Sequence, residues 1–92
     1  MKYKYNPDSI NVYLGNIIQK MRKGRNISQA EFAAKCGISR AYYGRIERGE
    51  FNVTVEMCKR IADGFGCHIS ELFKDIPMWD FIIIITHLKA VV

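Results

Sequence analysis

Between Ser28 and Gly49 the chain reads SQAEFAAKCGISRAYYGRIERG, and the groups in it able to make outward contacts are Gln29, Arg40, Ala41, Tyr42, Arg45 and Arg48. Guanidinium, amide and phenol together are donors and acceptors for base edges and phosphates. An arginine can bond guanine O6 and N7 at once, and an alanine methyl can meet the thymine methyl group. Arg40 is therefore the first candidate for a specific contact and Ala41 for an apolar one. Tyr42 can do either, while Arg45 can meet bases or backbone. Paired carboxylates, a nucleophile with a histidine, a Gly-rich phosphate loop and a metal-ligand cluster do not appear in the chain, so neither an enzyme nor a cofactor is expected.

These side chains act together only if short helices hold them on one surface. Ser28 is a good N-cap, and Glu31 three residues on completes a capping box. Phe32, Ala33, Cys36, Ile38, Tyr43 and Ile46 are the apolar positions, spaced as two helices joined by a turn at Gly37 and Ile38 require. Gly37 supplies the positive φ that most residues resist just past a helix end. Ala33 lets the second helix of the pair cross closely, and Ser39 caps that helix, the one expected to enter DNA. Gly44 inside it costs about 1 kcal/mol relative to alanine, and its expected use is close approach to the sugar-phosphate chain.

Further motifs extend the pattern: LGxxI from Leu14 to Ile18, Arg22, ISQxxFA from Ile27, CGIS from Cys36, IERG from Ile46, then Ile61, Ala62 and ELF. Together they resemble the Cro/C1-type, or Xre-like, helix-turn-helix regulators from about Ser9 to Phe73. RxYxxxIER from Arg40 to Arg48, followed by Asn52, is most similar to the controller proteins of restriction-modification systems. The resemblance implies an all-α, five-helix, lambda-repressor-like DNA-binding domain. It implies that Gln29 and Arg48 grip phosphates and that Ser39 and Asn52 belong to the DNA-binding set. It further implies an ion pair between Arg22 and Glu47 that ties the first helix to the recognition helix; the plain alternative is two ordinary surface charges.

Ninety-two residues are expected to form one small domain, for which burial against a second copy helps. A net charge of +5 favours a polyanionic partner, nucleic acid ahead of an anionic membrane surface. No secretion signal opens the sequence, and the longest apolar run, Phe81 to Ile85, is too short to span a bilayer, so a cytoplasmic protein is expected. Cys36, Cys58 and Cys67 lack metal-site spacing and read as small buried apolar residues.

Along the rest of the chain, residues 1–8 form an expected flexible arm whose Lys2 and Lys4 can reach phosphates or simply fray. Asn6 or Ser9 can cap a first helix with Ile10, Leu14, Ile17, Ile18 and Met21 on one stripe, ending near Gly24. Lys20, Arg22, Lys23 and Arg25 around its end can follow a DNA backbone or form a solvated face. Thr54 caps a fourth helix with Val55, Cys58, Ile61, Ala62 and Phe65 on one stripe, and a fifth is expected over His68 to Phe73. His68 and His87 read as ordinary residues, since neither has a second ligand nearby.

Residues 75–92 follow the expected domain of residues 9–74. Pro77 interrupts a helix, and Phe81 to Ile85 is β-branched enough to favour a strand over a helix packed on the core. A lone apolar strand needs a partner, which a second subunit supplies. The expected dimer interface is Phe65, Ile69, Phe73, Trp79, Phe81, Ile82 and Ile84. The whole reads as a homodimeric regulator of transcription that binds double-stranded DNA at an inverted repeat, with half-sites about 34 Å apart. An antitoxin, which would also bind a toxin protein, is the nearest rival, and a protein-binding adaptor the next, disfavoured by the three arginines of Arg40 to Arg48. RNA polymerase is a further expected partner for a regulator.

Overall fold

The computed structural model describes residues 7–74, with side chains described from Ile10 onward. Four α-helices follow one another: α1 Pro7–Gly24, α2 Gln29–Cys36, α3 Arg40–Glu47 and α4 Val55–Phe65. Each of the last three begins where a hydroxyl takes up a free backbone N–H: Ser28 accepts from Glu31, Ser39 from Tyr42 and Thr54 from Met57, each at 3.1 Å. Glu31 completes the box by accepting from the Ser28 N–H. Gly37 and Gly66 end α2 and α4 at φ of 73° and 70°, in the left-handed region.

The fifth helix is shorter than its apolar residues implied. It is a single 3₁₀ turn, Ile69–Leu72, with Glu71 N–H bonded to the His68 carbonyl and Phe73 N–H to that of Ser70. The His68 ring accepts the Ser70 N–H at the start of the turn; Leu72 is fully buried in the core, and Ile69 packs against it half-buried. The described fold is therefore all-α with four α-helices rather than five. The C-terminal strand, Trp79, Phe81, Ile82, Ile84, His87, and Lys2 and Lys4 of the arm lie outside the described residues.

Phe32 sits at the centre of the core, edge-on to Tyr43 with ring centroids 5.4 Å apart and stacked on Phe65 at 4.1 Å. Leu14, Ile18, Ile46, Ile61 and Leu72 close around these rings. Phe65 is thus used up inside the domain and is not free for a partner, which corrects its place in the expected dimer interface. Ile69 is half-buried and Phe73 exposed. Arg25 lies over the Phe65 ring at 4.7 Å and donates to the Phe65 carbonyl, so its guanidinium is engaged within the domain. Cys36 and Cys58 are buried free thiols; burial, only partly offset by Lys35, pushes the Cys36 thiol up to about 11. Among the described residues no helix is long and apolar enough to cross a membrane.

Candidate nucleic-acid interface

Eight residues are too few for a stable isolated helix, so α3 takes its position from what it packs against. Its inner side ends in Glu47, whose side chain is 1% exposed. Arg22 of α1 approaches this carboxylate with two donors, Nε to Oε2 at 2.7 Å and Nη2 to Oε1 at 3.2 Å. Gln29 at the start of α2 donates its amide to Oε1 at 2.8 Å, and the Arg22 Nη1 donates to the Ile27 carbonyl at 2.8 Å. Three helices therefore meet at one charge. Burial alone would raise the Glu47 pKa, but the hydrogen bonds led by Arg22 outweigh it and hold the carboxyl below the ordinary glutamate range. The Tyr43 hydroxyl feels both charges, yet it is buried without a hydrogen-bond partner. Its phenol is shifted upward, first by burial and then by the Glu47 carboxylate.

Gly15 explains how α1 comes so near. A Cβ there would stand 2.5 Å from the Glu47 carbonyl oxygen and 2.6 Å from that of Ile46, so only glycine lets the end of α3 rest on α1.

Outward, Arg40, Ala41, Arg45 and Arg48 are exposed and Tyr42 is half-buried. Arg40 stands at the first position of α3 with no ion pair among the described residues. The Tyr42 ring packs against Phe51 with centroids 5.0 Å apart, and the Arg45 guanidinium lies over the Phe51 ring, 4.3 Å from its centroid. Arg45 Nε donates to Glu50 Oε1 at 3.2 Å and Arg48 Nε to Glu50 Oε2 at 2.5 Å. Arg48 beside it, and then Arg45, hold the Glu50 carboxyl below the ordinary range. Among the described residues no set of His, Cys, Asp and Glu gathers as a metal site.

The structure thus brings Ser39, Arg40, Ala41, Tyr42, Arg45 and Arg48 together along α3, with the Ser39 oxygen accepting the Tyr42 N–H. It turns Gln29 inward, half-buried on Glu47. Asn52 lies in the following loop and accepts from Asn11 Nδ2 of α1 at 2.8 Å. Gly44 does not face open space: a Cβ there would meet the Arg48 Nη1 at 3.2 Å and the Gln29 Oε1 at 3.7 Å. The close approach that the structure shows at Gly44 is to the protein's own Arg48 and Gln29 side chains. Sequence reasoning missed Glu50 and Phe51; an acid and an aromatic ring directly after an Arg-rich helix were the available signal.

A model of the Helix-turn-helix family matches residues 18–72, more than half of the sequence. Control protein C.MunI of Mycoplasma sp is 40% identical over 70 residues, covering 75% of this chain and 95% of that protein. Control protein C.BamHI of Bacillus amyloliquefaciens is 29% identical over 66 residues, 71% of this chain and 82% of that one. Among solved structures, the restriction-modification controller protein C.AhdI from Aeromonas hydrophila superposes with a TM-score of 0.69 at 29% identity, over 71% of this chain and 98% of that one.

Proposed function

The chain belongs to the Cro/C1-type Helix-turn-helix family of DNA-binding regulators, and from that premise we propose that it is a restriction-modification controller that binds an inverted-repeat operator as a homodimer and regulates its own transcription. The observation that carries this reading is the outward row of exposed Arg40, Ala41, Arg45 and Arg48 with half-buried Tyr42 among them, set on a helix whose inner side is fixed by a buried charge. Likeness to C.MunI over nearly its whole length supports the controller role. Arg40 reads a guanine, Ala41 and Tyr42 touch base edges, and Arg45 and Arg48 face the backbone. The exposed Phe73 ring at the end of the domain supports a second copy there.

Selection of binding sites from a random duplex pool, followed by footprinting of the gene's own upstream region, tests the whole reading. An inverted repeat recovered in both supports it; no recovered preference overturns it. In the selected site, Arg40→Ala should weaken binding by about 1–3 kcal/mol and relax one position per half-site. Equal loss on operator and random duplex would remove that role from Arg40. Sedimentation of the full chain should give a dimer at micromolar concentration.

A further inference from the structure

Both oxygens of Glu50 are engaged by arginines, one from Arg45 in the last turn of α3 and one from Arg48 at its C-cap. Arg45, Arg48 and Glu50 side chains are 50%, 59% and 42% exposed, so these pairs contribute little to stability. Their consequence is better sought where DNA would lie. Helix-turn-helix proteins read bases chiefly from the N-terminal residues of the recognition helix, which leaves the C-terminal end of α3 and its loop beside the phosphates. There a carboxylate is repelled by the backbone and cancels one of the two guanidinium charges. It also restricts geometry. Each arginine is held by Nε, so its remaining donors, on Nη1 and Nη2, point from a fixed root rather than sweeping freely.

Resting on the DNA-binding reading above, we propose that Glu50 is a specificity-determining residue. By holding Arg45 and Arg48 it opposes phosphate contacts that are not fixed in register by base contacts. Random DNA offers phosphates in many registers and no base contact to choose among them, so the restraint and the repulsion weaken every such complex. On the operator, Arg40 and its neighbours set one register, in which the held guanidinium groups meet phosphates through their Nη donors. Discrimination then comes from a repulsive element as well as from attractive ones.

The test measures affinity of the full chain, Glu50→Gln and Glu56→Gln for the selected operator and for a random duplex of equal length across a salt series. Glu56, on α4, lies beside Arg60 at 3.7 Å and is exposed, so its variant makes the same change in net charge at another place. Glu50→Gln should bind random duplex about tenfold tighter at low salt, with a log–log salt slope steeper by about one, as expected for one further phosphate contact. Its operator affinity should change less than about threefold, and Glu56→Gln should move random binding less than about twofold. Equal gains by the two variants would make the effect one of net charge and overturn the proposal. So would a Glu50→Gln protein that is unchanged on random DNA, or weakened on both duplexes alike. A parent protein that prefers no duplex would fail differently, removing the DNA-binding reading and this proposal with it.

Discussion

The two sides of α3 carry similar charges in opposite circumstances. On the inner side, Glu47 is buried, and its donors come from two other helices within 3.2 Å. On the outer side, Glu50 holds two arginines at similar distances, but all three side chains are in solvent. Desolvation makes the difference. A buried carboxylate that loses its partners has no water to turn to, whereas an exposed one exchanges a guanidinium for solvent at little cost. The inner charge therefore sets where the helix lies, and the outer charges are free to be redeployed onto a ligand.

Breaking the inner side should produce the largest effect. Glu47→Ala leaves the Arg22 guanidinium buried without its counter-charge and should lower stability by about 3–5 kcal/mol, read as a large drop in the midpoint of a thermal melt. A shift comparable to that of a surface substitution would erase the contrast. Gly15→Ala attacks the same seam sterically and should cost about 1–3 kcal/mol, because the clash is with backbone carbonyls that cannot swing aside. Full stability in this variant would mean that α1 and α3 slide apart easily.

Acid sharpens the comparison. Because the Glu47 pKa is lowered in the folded chain, its stabilisation is fully present above the unfolded glutamate value, about 4.3, and is lost as pH falls through the lower folded value. Denaturation curves from pH 7 down to 2 should therefore show a steeper acid loss in the parent than in Glu47→Gln. Parallel curves would assign the loss to other carboxylates. The smallest effect is expected at Asp63, exposed and paired with Lys59 on one face of α4. Asp63→Ala should change stability by no more than about 0.5 kcal/mol in chemical denaturation. A larger change would show that exposure alone does not separate the two classes of pair.

Much of this architecture was legible in the residues because it is local. Ser28 with Glu31, Ser39 and Thr54 declare their helices through hydrogen bonds spanning three residues, and Phe32, Tyr43, Ile46 and Ile61 fall at helical spacings that leave them inside. The outward row on α3 was legible for the same reason. Gly15 and Gly44 were not, because each is explained by atoms that only the folded chain brings near: the carbonyls of Ile46 and Glu47 for one, Gln29 and Arg48 for the other. Gln29 has an amide suited to phosphate, and nothing in its neighbours indicates that it turns toward Glu47. The last helix was overestimated because Ile69, Leu72 and Phe73 look amphipathic, although four residues with a histidine cap suffice only for a 3₁₀ turn.

The meeting of three helices at Glu47 also bears on how the domain opens. Detaching α1 removes Arg22 and strands the Glu47 charge, and detaching α2 removes the Gln29 amide from the same carboxylate and opens the ion pair to water. Partial unfolding of this part of the domain is therefore disfavoured relative to complete unfolding, and α1, α2 and α3 should behave as one cooperative unit. The backbone amides of α3, though the helix has only eight residues and faces solvent on one side, should exchange with deuterium no faster than those of α1.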